Sequence, residues 1–343
     1  MKIRIFGESH APEIGVEIEG VPKGTAIDGA ELQAFLDRRA PGHGQGGLST
    51  PRKEPDKVEF ESGVGCSLTS GQETASPFFE ATGETIRAVI RNTNTRPQDY
   101  ANVQTVPRPG HADYASWLQC GKIPTGGGKW SGRMTAPLCI AGGIALQMLK
   151  RKGVAISAKV VRCGGVDCGG GTPPPLDRIP DGDSVGGVVE VVATGFPAGH
   201  GDVGTDGLES KLAAAFFGIP AVKGVEFGDG FKLADMLGSQ ANDAFVVRGE
   251  GRETEDARRG RIALRTNHCG GILGGVSVGM PIVARLAFKP TPSIALEQDS
   301  VDLKTLTPAK ITVAGRHDRC VAFRGAVAAE AAMAIVLVNE LKS

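Results

Sequence analysis

Apolar positions alternate with polar ones, or run β-branched, in six segments: GVEIEGV from Gly15, KVEFESGV from Lys57, VAISAKVV from Val154, VGGVVEVVA from Val185, RIALRTN from Arg261 and MPIVARLAF from Met280. A period of two with β-branched residues predicts strands, many with one buried face. Helical spacing is cleaner but rarer. Asp28 with Glu31 makes a capping-box-like start for AELQAFLDRR, where Leu32, Phe35 and Leu36 share a face. Two more segments, TAPLCIAGGIALQMLKRKG after Arg133 and AVAAEAAMAIVLVNELK near the C-terminus, are apolar nearly all round and rich in small residues. Such helices are buried, either within the chain or at a subunit interface. Strands come in runs with helices between them, so the expected fold class is α+β.

One internal echo runs through the chain. VEIEGVPKG followed by AELQAFLDR resembles VEVVATGFPAGHG followed by LESKLAAAF. A duplicated strand-turn-helix unit accounts for it, and so do two similar Gly-Pro turns. With no low-complexity linker, residues 1–343 are expected to form a single domain. The most polar stretch, RGEGRETEDARRGR from Arg248, is expected to be a charged surface excursion.

Composition narrows the function. Lys+Arg 38 against Asp+Glu 38 leaves no global field toward nucleic acid or anionic lipid, so an anionic ligand must be held by local clusters. The start, MKIRIFGESH, has no apolar core ahead of a cleavage site, and no apolar run reaches the ~18 residues of a membrane span. Seven cysteines without a C-x-x-C spacing indicate neither a disulfide framework nor a zinc ribbon, and Cys163 with Cys168 alone do not complete a metal site. No metal is expected, and a reducing cytoplasm fits best. The 50 glycines and 21 prolines, in a chain 41% hydrophobic, point to a packed fold with many tight loops.

The chemistry lies in those loops. Each of the six histidines, His10, His43, His111, His200, His268 and His317, has a glycine within three residues. A loop histidine is ordinarily a solvated or turn-bonded ring. GESH, RPGHAD and GRHD stand out because a charged partner beside the imidazole is what general acid–base work requires. GHGQGG from Gly42 matches G-x-G-x-x-G but follows a helix instead of a strand, which removes the dinucleotide context. GGGKWSGR from Gly126 is not a Walker A loop, because Trp130 follows the lysine. Its glycines lead into a helix, so backbone N–H groups, Lys129 and Arg133 are expected to converge on an anion, unless this is only a tight turn. TNHCGGILGG and KPTPS add glycine pairs, a lysine and hydroxyls.

In number and order these motifs resemble the chorismate synthase family: GESH, RRAPG, STPRKEPDKV, RPGHADY, GGG-x2-SGR-x-TA, AVKGVEFGDGF, GSQAND, NHCGGILGG, KPTPSI and GRHD-x-C, from residue 7 to the last helix. The resemblance implies one large β-α-β sandwich of antiparallel-rich sheets and helices. It implies a lyase that removes phosphate from 5-enolpyruvylshikimate 3-phosphate by an anti 1,4-elimination, using reduced FMN without net redox change. It assigns His10 as proton donor to the leaving phosphate, His111 to the charge state of the reduced flavin, and Asp318 to loss of the C6 hydrogen. An anionic flavin beside His111 is expected to raise the pKa of its imidazole. Flavin contacts fall on Lys129, Trp130, Ser131, Pro220, Ala221, Gly274, Lys289, Pro290, Thr291, Pro292, Ser293 and Arg316, and substrate contacts on Ser9, Arg39 and Arg133. Arg52 and Arg108 add to the cations in glycine- and proline-rich segments. A homotetramer built as a dimer of dimers and a separate flavin reductant are the implied partners, with no nucleic acid and no membrane.

Departures from the family pattern are specific. Lys129, Trp130 and Ser131 stand where many members have Arg-Ser-Ser, GHGQGG lacks an arginine often found there, Ala11 replaces a usual glycine, and the shorter N-terminus predicts a clipped first strand. Two other functions stay open on sequence alone: a flavin reductase using NADPH, and a non-catalytic binder of FMN or phosphosugars.

Overall fold

The computed structural model describes residues 1–41, 47–50, 55–67, 78–93, 103–169, 179–247, 262–313 and 317–341. Two antiparallel sheets enclose a layer of helices. The first sheet contains β1 (Lys2–Gly7), β2 (Glu13–Glu19), β3 (Glu59–Ser62) and β4 (Ile86–Arg91) in the order β1-β2-β4-β3. The second contains β5 (Ala155–Cys163), β6 (Val166–Asp167), β7 (Gly187–Thr194), β8 (Val222–Phe227) and β9 (Ile282–Phe288) in the order β8-β9-β7-β5-β6. β1 pairs with β2 from Lys2↔Glu19 to Gly7↔Ile14. The segment from Lys57 holds two strands. Gly63 turns the chain at φ 79, so Glu59–Ser62 joins the first sheet and Val64–Ser67 a small neighbouring one.

Alternation decides which faces are covered. Along β7, Val189, Val191 and Ala193 are buried while the residues between them are half-buried, and β9 repeats the pattern with Ile282, Ala284 and Leu286. Those faces meet helices, as period-two burial requires.

The helices are α1 (Gly29–Arg39), α2 (Asp113–Cys120), α3 (Thr135–Lys150), α4 (Leu208–Phe217) and α5 (Ala322–Glu340), with a single turn at Gly238–Ala241. The Asp28 side chain caps α1 by accepting from the N–H groups of Ala30 and Glu31 at 2.9 and 3.1 Å. Helix α3 packs on β2 and β4, α5 packs on β5 and β7, and the two helices pack on each other. Their small residues therefore serve packing within the chain. A Cβ on Gly142 of α3 would collide with Cα and Cβ of Ala331 in α5, so the backbones approach closely only because both positions are small. α5 is long and apolar enough to cross a membrane, yet 83% of its most apolar window is buried between the layers.

The internal echo corresponds to equivalent placements. β2 leads to α1, which packs on α3, and β7 leads to α4, which packs on α5. Each unit belongs to one of the two large hydrophobic cores. Glu330, buried on α5, ties the layers together by accepting from both terminal nitrogens of Arg38 at 2.7 and 2.8 Å and from the Ala158 N–H at 2.7 Å. The excursion from Arg248 and most of GHGQGG, His43 included, lie outside the described residues, as do Arg52 and Arg316.

Candidate active site

Six loops converge at one end of the helical layer. They are GESH after β1, RPGHA before α2, the GGG turn before α3, IPAVK between α4 and β8, KPTPS after β9, and His317-Asp318 before α5. Together they enclose a cavity of about 540 Å³. Ala112 at the start of α2, Thr135 at the start of α3 and Val321, Arg324 and Gly325 at the start of α5 are on its wall, as are Phe217 and Gly218 at the end of α4. The N-terminal dipoles favour negative charge there, and the C-terminal end of α4 opposes them. Among the described residues, six cationic side chains line the cavity (Arg108, Lys129, Arg133, Lys223, Lys289, Arg324) against one carboxylate, Asp318. A protein with zero formal net charge has gathered its cations locally.

The triple glycine brings Lys129 and Arg133 to the cavity wall and does more besides. Gly126, Gly127 and Gly128 have φ of 62°, 91° and 53°, and the N–H groups of Gly127, Ser131 and Arg133 are spent within the turn on Pro124 O, Gly128 O and Ser131 Oγ. What the missing side chains provide is room. A Cβ on Gly126 would overlap the His10 ring, and one on Gly127 would lie 3.1 Å from Cε1 and Nε2 of His111. The turn thus separates the two imidazoles and holds both in one cavity. Ser9 completes the seat of His10, with Oγ 3.1 Å from His10 Nδ1 and donating to Gly126 O at 3.2 Å. Lys129 Nζ sits 4.5 Å from the centre of the Trp130 ring, so the cation stacks on the residue that departs from the family pattern.

His111 belongs to a buried ion network. Its Nδ1 is 2.6 Å from Asp113 Oδ1, and Arg108 reaches Asp113 from Nε at 2.7 Å and Nη2 at 2.8 Å while Nη1 donates to Ser293 Oγ at 3.0 Å. Burial would raise the Asp113 carboxyl, but hydrogen bonds from Arg108 and His111 outweigh it and hold the group well below the usual carboxylate range. Burial pushes His111 itself down, Asp113 opposes this, and Arg108 and Lys289 add to it. The expected raised pKa is therefore not a property of the protein groups alone; it needs an anion in the cavity.

A second network lies beneath Arg133. Asp56, buried and in left-handed backbone at φ 45, receives Arg133 on Oδ1 and Arg39 on Oδ2. Burial would raise its pKa, but the two guanidiniums hold it below its usual value. Arg133 also donates to Asn92 Oδ1 from Nε and Nη2, each at 3.2 Å, and Arg39 to Thr135 Oγ1 at 3.2 Å. Asp318 is fixed by the Thr50 N–H at 2.9 Å and by Arg324 Nη1 at 3.1 Å, while Arg324 Nε caps α1 through Arg39 O at 3.1 Å.

The family model of chorismate synthase matches residues 1–178 and 176–341. The chain belongs to the chorismate synthase family. It is 40% identical over 384 residues to the chorismate synthase of Lancefieldella parvula, covering 100% of this chain and 95% of that one. Against the chorismate synthase of Thermococcus gammatolerans it is 39% identical over 365 residues, with 99% and 96% covered. A crystal structure of chorismate synthase superposes with a TM-score of 0.68 at 22% identity, covering 99% of this chain and 91% of the other, a likeness of fold. The α+β sandwich expected from the motifs is the observed architecture.

The positions that the sequence resemblance assigns to acid–base work, His10, His111 and Asp318, all line the cavity, as do Ser9 and Arg133. Of the described positions assigned to flavin, all but Gly274 and Pro290 line it too. Gly274 lies in the turn of a hairpin whose next residue, Gly275, packs on Asp202 and Gly207, and Pro290 is exposed and packs on Gly186. Arg39 is fully buried behind Arg133 and acts on the cavity through Asp56. Sequence reasoning missed Thr50, Asp56, Asn92, Asp113, Lys223 and Arg324. Two had a legible signal: Asp113 in RPGHAD itself, and Arg324 six residues after Asp318 in the first turn of α5.

Proposed function

We propose that this cavity eliminates phosphate from 5-enolpyruvylshikimate 3-phosphate in an anti 1,4 sense to form chorismate, in the presence of reduced FMN and without net redox change. The observation that carries this reading is the charge of the cavity: among the described residues, six cationic side chains line it against one carboxylate. That lining suits a substrate with two carboxylates and a phosphate, together with a flavin phosphate. The elimination balances within the substrate, because the electrons that leave with phosphate at C3 are replaced by those of the C6–H bond.

The residues fit a flavin. Thr291 Oγ1, on the cavity wall, is buried without a hydrogen-bond partner among the described residues, and the Lys289 ammonium, whose pKa is lowered by burial and then by Lys223, stands beside it in the chain. Lys129, Trp130, Ser131, Pro220, Ala221 and the 289–293 segment would hold the cofactor. Reduced FMN, when bound, would supply electron density that assists departure of the phosphate.

The rest is the work of side chains. Arg133, backed by Arg39 through Asp56, and Ser9 hold substrate anions. His10, seated on Gly126, carries the proton given to the leaving phosphate, a role worth roughly 10²–10⁴-fold in rate. His111, on the cavity wall, would face the cofactor when it is bound, and an anion there would raise its affinity for a proton. Asp318, clamped by Thr50 and Arg324, takes the proton derived from C6.

This reading includes a homotetramer, supported by large apolar side chains left exposed around Phe231, Leu237, Phe245, Val247 and Ile262. It also includes a separate source of reduced flavin and a cytoplasmic location, which six free cysteines among the described residues support. The test is stoichiometry with purified protein, 5-enolpyruvylshikimate 3-phosphate and reduced FMN under argon. One phosphate per chorismate, with no reductant consumed per turnover, is the expected result; reductant consumed in proportion to product would contradict it.

A further inference from the structure

His111 Nδ1 has two charged neighbours that demand opposite tautomers. Asp113 Oδ1 at 2.6 Å accepts, and so requires a proton on Nδ1; Arg108 Nη2 at 3.1 Å donates, and so requires a lone pair there. The carboxylate has the shorter contact and is completely buried, with Arg108 on Nε, Nη2 and its backbone N–H (3.1 Å) locking it in place. With a proton on Nδ1, Arg108 is satisfied by Asp113 and Ser293 and its approach to the ring is a mere contact. With a lone pair on Nδ1, two acceptors would face each other at 2.6 Å in a buried site, which costs the full penalty of unmatched polar groups.

We propose that Asp113 is a positioning residue that holds His111 as the Nδ1–H tautomer, so that Nε2 meets the ligand as an acceptor and, once protonated, as a donor. Nε2 lies against Gly127, which has no Cβ to shield it, and makes no hydrogen bond among the described residues. Among the described residues, the charged groups facing the ring are Asp113 and Arg108 from its own segment and Lys289 just after β9. Removing the Asp113 charge leaves Arg108 as the charged neighbour of Nδ1 among them. The ring then accepts from Arg108 and flips to Nε2–H, which turns the cavity-facing nitrogen from acceptor into donor. The kinetic part of this inference rests on the elimination reading; the tautomer part does not.

The experiment is a long-range ¹H–¹⁵N spectrum of the full chain with ¹⁵N-histidine, recorded from about pH 5 to 9, with His111→Gln to assign the signal. Wild type is expected to show Nδ1–H, Asp113→Asn to show Nε2–H with a lower His111 pKa, and Asp113→Glu to restore the wild-type tautomer. Under reduced FMN, Asp113→Asn is expected to lower kcat roughly 10²-fold or more, with Asp113→Glu recovering part of it. Nε2–H in wild type overturns the proposal without any variant, which keeps the test decisive if Asp113→Asn fails to fold. Nδ1–H retained in Asp113→Asn also overturns it. A wild type that shows Nδ1–H and forms no chorismate counts against the elimination reading alone, and the dyad stands on its spectrum.

Discussion

The imidazole of His10 lies on the backbone of Gly126, so close that a Cβ there would overlap Cε1 and Nδ1. The glycine is therefore part of the seat of the proposed acid. Gly126→Ala must move the ring and also strain a backbone at φ 62, at about 1–2 kcal/mol. The expected outcome is a loss in kcat approaching that of His10→Ala. Gly127→Ala, where the nearest His111 atoms are 3.1 Å away, should lose less. Steady-state kinetics of the two variants under reduced FMN check the order; equal losses would show that strain, common to both, is the cause.

His10→Ala and Asp318→Asn should each lower kcat by roughly 10²–10⁴-fold while thermal unfolding stays close to wild type. Both groups line the cavity and neither fills a hydrophobic core. Calorimetry beside the kinetics separates the two effects.

Asp56 neutralises two guanidiniums inside the protein, and its removal leaves both in excess. Asp56→Asn should lower unfolding free energy by about 3–5 kcal/mol in urea. The folded-state pKa is depressed below the ordinary 3.8, so the carboxylate's contribution is fully present above that value and is lost as pH falls through the folded pKa. Wild type should show this acid-side loss of stability and Asp56→Asn should lack it, as urea midpoints measured from neutral pH downward will record.

Gly142→Val tests the helical layer away from the site. Its side chain has no room against Ala331, so overpacking of about 1–3 kcal/mol or more is expected in urea unfolding. A neutral effect would mean that α3 and α5 can separate without cost.

Much of this molecule is written locally. The cap at Asp28, the period-two strands and the small-residue helices are short-range patterns and formed within the segments that carry them, although the strand from Lys57 splits in two at Gly63. The loops bearing His10, His111 and Asp318 were marked by a glycine and a charged partner. What stayed hidden depends on contacts distant in sequence. Asp56 reads as a surface acid in EPDK until Arg39 and Arg133 close over it. That the GGG turn also seats two histidines, 116 and 16 residues away, is a contact its spacing does not carry. Whether the apolar helices faced the chain or a partner was undecidable from composition, because a stripe of small residues serves both; the collision between Gly142 and Ala331 decides it.

The proposed elimination requires reduced flavin in the cationic cavity. Its most direct test is anaerobic turnover of 5-enolpyruvylshikimate 3-phosphate followed by chorismate absorbance, with dithionite-reduced FMN, with oxidised FMN, and with oxidised FMN plus NADPH. Chorismate with reduced FMN alone, abolished in His10→Ala, is the predicted result. Steady product with oxidised flavin and no reductant, or none under any condition, would contradict it.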